Sequence, residues 1–357
     1  METMYDSFKK HGYSRRDFLK FATSIAVYLS LSPIASAKLI KDLETKPKPT
    51  VIWLEMQDCA GCSESFIRSS NILPSQILFD LINLKYHETL MAPAGERAEE
   101  AKEEVIKDKK GEYILIVEGS ISNSLNGAFC MIGGKSNFEL LKEAAKDAGA
   151  IISVGSCASW GGLPHANPNP TGATSVLDAL GEEYKSKLIN IPGCPPIADV
   201  MVSVIIQYLT TNKVPKLDNL NRPLAFYSQS IHDSCYRRGF YNATKYVKSF
   251  DDEGARSGHC LYELGCKGPI TRNACSTIRW NGGLSFPIQS GHPCFGCSEP
   301  NFWDNGHIYE PLSAPSIDSS KKDVAYISAI GVATGVVAGA ISKFRAKKSS
   351  KKEEQNG

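Results

Sequence analysis

Residues 51–65 read VIWLEMQDCAGCSES, a short apolar run that ends in a loop carrying Cys59 and Cys62 three positions apart. The same plan recurs along the next 140 or so residues. Residues 113–120, YILIVEGS, end in the Gly/Ser-rich EGSISNS; residues 150–162, AIISVGSCASWGG, run from a strand straight into Cys157; residues 188–196, LINIPGCPP, do the same into Cys194. Helical patterns lie between them, such as GERAEEAKEEVIKDKK and SNFELLKEAAKDAGA. Strands alternating with helices predict an α/β fold with a doubly wound, flavodoxin-like parallel sheet over 48–220. In such a sheet ligands bind outside the carboxyl ends of the strands, so Cys59, Cys62, Cys157 and Cys194 are expected to converge on one site. Gly61, Gly155, Gly161, Gly162, Gly193, Pro195 and Pro196 crowd the loops, allowing tight turns and amides directed at sulfur.

From about Asn221 the alternation fades. Glycine, proline and histidine accumulate through HDSCYRRGF, GHCLYELGC, TRNACSTIRWN and GHPCFGCSEPNFWD, and six of the eleven cysteines fall between Cys235 and Cys297. Few long apolar runs remain, so residues 221–318 are expected to form a smaller, irregular domain held together partly by what its cysteines bind. There is no internal repeat, and no low-complexity stretch beyond a lysine-rich tail. The 357 residues suit two cores, and a formal charge of +2 gives no reason to expect nucleic acid as a partner.

Both ends carry membrane-related patterns. Residues 14–37, SRRDFLKFATSIAVYLSLSPIASA, place Arg15 and Arg16 before an apolar run from Phe21 to Leu31, then Pro33 and Ala35-Ser36-Ala37. This predicts a secretory leader over 1–37 cut after Ala37, of the twin-arginine type, followed by a Lys/Pro-rich linker from Lys38 to Pro49. The twin-arginine route carries folded cargo. Metal loaded in the reducing cytoplasm then keeps exported cysteines from forming disulfides. At the other end, residues 324–341 hold no charge in 18 positions, about 27 Å of helix against a hydrocarbon core of about 30 Å. A single-pass anchor is expected over 323–342. Lysines in the tail 343–357 put that tail in the cytoplasm and the body outside, and Gly331, Gly335 and Gly339 give a face for another helix.

Three readings compete for the cysteines. An odd count of eleven cannot all pair, and CxxC pairs make poor structural disulfides. Zinc motifs bring two close pairs about 15–20 residues apart, whereas Cys59/Cys62 and Cys294/Cys297 lie at opposite ends of the fold. Thiolate ligation of iron–sulfur clusters fits the loops best.

The blocks WLEMQDCAGCSES, VEGSI, GSCASWGG, PGCPP, HDSCYRRGFY, LGCKGPITRNAC and GHPCFGCSEPNFWD resemble the small subunit of the membrane-bound [NiFe] uptake hydrogenases, in family order and over nearly the whole chain. The resemblance implies three clusters: a proximal [4Fe-4S] on Cys59, Cys62, Cys157 and Cys194; a distal [4Fe-4S] on His232, Cys235, Cys260 and Cys266; and a medial [3Fe-4S] on Cys275, Cys294 and Cys297. Pro287 stands where a fourth medial thiol would be. Cys130 is left over as a buried free thiol. Oxygen-tolerant relatives carry extra cysteines near the proximal cluster; the matching positions here are Gly61 and Gly162, which implies the oxygen-sensitive type.

The resemblance further implies that the Ni-Fe centre lies in a partner large subunit, and that electrons from H2 leave near His232 for a membrane cytochrome b and the quinone pool, on the periplasmic face of the inner membrane. No residue of this chain is then catalytic; it contains no serine triad, HExxH, P-loop or dinucleotide fingerprint. H-x-x-C spacing to Cys235 favours His232 as a ligand, while His259, adjacent to Cys260, is a poorer candidate and His292 and His307 are structural. Arg237, Arg238 and Lys267 suggest a docking patch, against the commoner solvated charge; Glu64 and Glu55 suit capping or packing better than proton exit. Two rivals remain: a cluster-bearing component of the complex I quinone-reductase type, which would not need the region after Asn221, and an exported binding protein stapled by disulfides.

Overall fold

The computed structural model describes residues 2–28, 32–70 and 72–312. The expected anchor with its glycine face, the basic tail, and Leu29 to Leu31 of the leader lie outside them. Among the described residues no helix is long and apolar enough to cross a membrane.

Five strands form one parallel sheet: β1 (Thr50–Glu55), β2 (Asn83–Tyr86), β3 (Tyr113–Glu118), β4 (Ala150–Val154) and β5 (Leu188–Ile191). Their order is β2-β1-β3-β4-β5. That is the flavodoxin-type winding, with its switch point between β1 and β3. These two strands run level from Thr50 opposite Tyr113 to Glu55 opposite Glu118.

The four strands other than the edge strand β2 are buried along their whole length and mainly apolar because both faces are covered. Val51, Trp53, Ile116, Ile152, Val154 and Ile189 enter one core; Ile52, Leu54, Leu115, Val117, Ile151 and Leu188 enter the other, following the two-residue period. The second core is closed by α5 (Glu96–Asp108) and α6 (Asn137–Lys146), the latter started by a Ser136/Glu139 capping box. The first is closed by α9 (Ala198–Thr211) and by three helices from the N-terminus, α1 (Met4–Lys10), α2 (Arg15–Tyr28) and α3 (Pro33–Thr45). Two short helices follow strand ends, α4 (Gly61–Phe66) after a five-residue loop beyond β1 and α7 (Gly155–Trp160) directly beyond β4, and a further one, α8 (Val176–Leu180), precedes β5.

The expected linker differs from what is observed. Residues Lys38 to Thr45 are helical, in continuity with the expected cleavage site. Ser32 caps the helix and Pro33 sits at its first turn, while Leu39 and Leu43, one turn apart, are buried. Lysine-rich composition conceals that apolar stripe.

Beyond Asn221 the chain is irregular, as expected, with helices of four or five residues at Leu224–Tyr227, Arg238–Asn242 and Glu253–Arg256. This region packs onto the sheet half within one compact unit. Arg222, with its side chain 3% exposed, ties the two by pairing with Asp218 at 2.8 Å and Glu299 at 2.9 Å. The Ser156 hydroxyl donates to the Cys297 carbonyl, and Trp160 Nε1 donates to the Ser298 carbonyl at 3.3 Å.

Candidate metal centres

The first group of thiols gathers at the strand ends. After β1 the chain turns through Ala60 in the left-handed region (φ 57°), so Cys59 and Cys62 flank the start of α4. Cys157 lies in α7, immediately after β4, and Cys194 follows β5. Contact is tight: a Cβ on Gly155 would lie 2.5 Å from Cys62 Sγ, and one on Gly162 would collide with Cys157 Sγ. Burial pushes the Cys62 thiol far up, with Glu118, Cys157, Cys194 and Cys59 adding to it. Burial, then Cys194 and Cys59, take Cys157 to about 12; burial, then Cys297 and Cys59, take Cys194 to about 11. The four thiols expected to converge do so.

Glu118 is not among the residues to which the sequence points. Buried at the end of β3, it accepts from Cys62 N at 2.9 Å, Ser63 N at 3.0 Å, Ser63 Oγ at 2.5 Å and Trp53 Nε1 at 3.3 Å. It anchors the first turn of α4, whose free amides attract negative charge. The available signal is an acid closing an apolar strand, YILIVE. Ser63 Oγ also lies 3.1 Å from His87 Nε2, linking Glu118 to a second buried cluster of Glu55, His87 and Glu88. Burial raises Glu88 to about 8, and burial together with Glu118 raises Asp58 to about 7. Glu64 is exposed and paired with Arg68.

Cys275, Cys294 and Cys297 line a cavity of about 350 Å³, with Pro287 and Trp280 on its wall and Cys194 at its edge. Burial drives Cys294 far up, with Cys266 and Cys297 adding to it; burial and Cys297 take Cys275 to about 12. Gly296 N donates to Cys294 Sγ at 3.4 Å. The Trp280 indole favours the Cys275 thiolate, yet its buried Nε1 meets no acceptor at hydrogen-bond geometry.

A third group brings Cys235, Cys260 and Cys266 together, each raised first by burial. The turn bond from Cys235 N to His232 O sets His232 beside them, and His232 N reaches Gly268 O, two residues past Cys266. Burial, then Arg238, holds the His232 imidazole below its usual pKa. The groups form a series: beyond the effect of burial, Cys297 raises the Cys194 thiol at one junction and Cys266 raises the Cys294 thiol at the next.

Each group offers three or four soft donors that would repel one another as bare thiolates. Polynuclear iron–sulfur centres supply the positive charge such a set needs, and the enclosed cavity with an unpaired indole N–H fits a sulfur-rich occupant. All eleven cysteines are free thiols.

Arg237 and Lys267 fit neither the docking patch nor the commoner reading as solvated charge. Arg237 and Lys267 are buried; Arg237 donates to His259 O at 2.6 Å and Lys267 to Glu310 O at 2.6 Å. Their charges stabilise carbonyls, and of the three only Arg238 is exposed, paired with Asp233 at 3.2 Å. His259 packs on Phe240, while His307 is exposed. His292 contributes to the cavity wall and lies 3.1 Å from Tyr309 OH. Cys130 is half-buried, its thiol raised to about 11 by burial, then Asp58 and Glu88.

Two family models match the chain. Residues 59–208 match the 20 kDa subunit of NADH ubiquinone oxidoreductase, and residues 227–310 match the C-terminal family of NiFe/NiFeSe hydrogenase small subunits. The uptake hydrogenase small subunit of Azotobacter vinelandii is 47% identical over 95% of this chain and 94% of its own length; that of Cupriavidus necator is 48% identical over 100% and 99%. The solved [NiFeSe] hydrogenase of Desulfovibrio vulgaris Hildenborough aligns with a TM-score of 0.69 at 35% identity, over 74% of this chain and 99% of that one.

The chain belongs to the [NiFe] hydrogenase small subunits.

As a hydrogenase small subunit it is the iron–sulfur, electron-transfer partner of a large subunit in a heterodimeric oxidoreductase. The complex I rival accounts for the sheet half, which is matched by the quinone-reductase family, but leaves residues 227–310 unexplained. Replacing Glu118 by Gln turns one acceptor into an NH2 facing the Cys62 and Ser63 amides. The variant is expected to lose about 1–3 kcal/mol of stability, read in denaturant unfolding of the assembled heterodimer, whereas unchanged stability would contradict the anchoring role.

Proposed function

We propose that this hydrogenase small subunit relays electrons from H2 oxidation at the large-subunit Ni-Fe site to a membrane cytochrome b and quinone, through a proximal, a medial and a distal centre. The observation that carries this reading is the serial arrangement of three thiol groups, joined at Cys194/Cys297 and Cys294/Cys266. Cys59, Cys62, Cys157 and Cys194 would hold the proximal [4Fe-4S] cluster, Cys275, Cys294 and Cys297 the medial [3Fe-4S], and His232, Cys235, Cys260 and Cys266 the distal [4Fe-4S]. Bound there, these clusters supply one-electron storage and transfer at potentials set by ligand type, burial and hydrogen bonds to sulfur.

The chain's own residues set those conditions. Glu118 fixes the backbone that carries Cys62. Gly155 and Gly162 let the backbone approach sulfur without a side chain in the way. Trp280 and Gly296 present N–H groups in the medial site, and Phe286, Ile288 and Ile231 keep that cavity apolar. Cys59 and Cys194 are the exposed members of the proximal set, and Gly61 and Pro195, close to them in sequence, line an open groove of about 320 Å³ with Glu64, Arg68 and Trp280. This supports a large subunit that covers that face. The half-buried position of His232 supports electron exit at the distal end.

The leader over 1–37 would send the folded body through the twin-arginine route to the periplasmic side, and the helix over 323–342 would hold it at the membrane beside its cytochrome partner. The glycines at positions 61 and 162 support the oxygen-sensitive type.

His232→Gly is expected to slow delivery of electrons to dyes or quinone while leaving hydrogen–deuterium exchange at the large subunit largely intact; equal loss of both activities overturns the conductive role. Deleting residues 321–357 is expected to give a soluble, hydrogen-oxidising heterodimer. Continued partition of that form with membranes overturns the anchor.

A further inference from the structure

The segment that carries the export pattern is folded against the body. Met4, Phe8, Phe18, Ala22, Ile25 and Ala26 are at most 3% exposed and share one core with Ile77, Leu81, Ile205 and Ile206 of the body. Polar contacts fix the register. Ser7 Oγ donates to Asp80 Oδ1 and to Phe79 O, each at 2.9 Å, and His11 Nδ1 lies 2.9 Å from Asp80 Oδ1. Lys48 N donates to Glu2 O at 3.0 Å while Lys48 Nζ pairs with Glu2 Oε2 at 3.1 Å. Asp80, 3% exposed, therefore finds its partners in and just beyond α1.

Two features of this docking bear on processing. Arg15 and Arg16 stay exposed at the start of α2, Arg15 pairing with Glu44 at 2.8 Å, although Phe18, Ala22, Ile25 and Ala26 behind them are buried. Ala35, Ser36 and Ala37 lie inside α3, with Ser36 N bonded to Ser32 O at 2.8 Å and Leu39 and Leu43 holding the helix to the body. Peptidases take their substrates as extended strands, and a docked helix has to open first.

We infer that the folded body is a binding partner of its own leader: the face formed by residues 76–81 and α9 holds α1 to α3 so that the arginine pair is displayed while Phe18, Ala22, Ile25 and Ala26 are covered and the exposed Ala37–Lys38 bond is locked in a helix. The inference rests on the export reading of residues 1–37. An export receptor would meet the arginines first, and cleavage would follow only once the helices leave the body. The docked leader thereby reports that the sheet and α9 have folded.

The test is hydrogen exchange by mass spectrometry on the uncleaved heterodimer, purified from cells lacking the twin-arginine translocase. Amides of α1 and α2 are expected to exchange at least about tenfold more slowly than in a synthetic peptide of residues 1–45. Phe8→Asp, which places a charge in the apolar interface, is expected to abolish that protection while β3 and β4 exchange as before. Lys48→Glu, set against Glu2, serves as a milder variant and is expected to weaken it. Protection that is lost in the first variant and reduced in the second supports docking. Leader amides that exchange at the free-peptide rate in the unmodified chain, or that are indifferent to both variants, overturn it. Arg15→Lys with Arg16→Lys separates the two readings, since it is expected to block export without changing protection. Export that ignores those arginines sinks the export reading and leaves the docking standing.

Discussion

Parallel alignment of the strands is the constraint on which the rest of the molecule depends. Because β1, β3, β4 and β5 all point the same way, their carboxyl ends share one edge, and loops separated by up to 135 positions in sequence deliver Cys59, Cys62, Cys157 and Cys194 to the same place. Burial first, and then the neighbouring thiols, make Cys62, Cys157 and Cys194 unfavourable as anions and raise their pKa values. A cationic occupant lets the four sulfurs sit in that proximity as thiolates. Glu118, the last residue of β3, converts strand register into thiol position by gripping the two amides that begin α4.

The second half of the chain extends that edge. It has little regular structure of its own and is held by Arg222 with Glu299, by Ser156 with the Cys297 carbonyl, and by the shared apolar core. These ties bring Cys297 beside Cys194 and so place the second group of thiols next to the first. Removing the Arg222 charge would leave two carboxylates facing each other, an arrangement that buried sites do not tolerate. The same economy of partners holds at the distal group, where Arg237 and Lys267 are occupied by carbonyls near Cys260 and Cys266.

Much of this is legible in the sequence. Four of the five strands are visible because they are apolar on both faces and stop in a Gly- or Cys-bearing loop, and the convergence of four thiols follows from that pattern alone; β2, NLKY, is half-buried and polar and lacks the signal. After Asn221 no period exists to read, so the grouping of Cys235, Cys260 and Cys266 apart from Cys275, Cys294 and Cys297 comes only from family resemblance. Glu118, Ser156 and Arg222 are hidden because their roles arise from contacts across 55, 141 and 77 positions. Arg237 and Lys267 pass for surface charge because a basic residue solvated by water and one bonded to a buried carbonyl look alike in sequence. The helix across Ala37 is masked by the lysines that surround Leu39 and Leu43.

Electron paramagnetic resonance of the anaerobically purified heterodimer, as isolated and after reduction by H2, tests the central claim most directly. One three-iron signal is expected in the oxidised protein, lost on reduction, together with two four-iron centres that become paramagnetic when reduced. A spectrum without iron–sulfur signals in either state, from material that also lacks acid-labile sulfide, would contradict it.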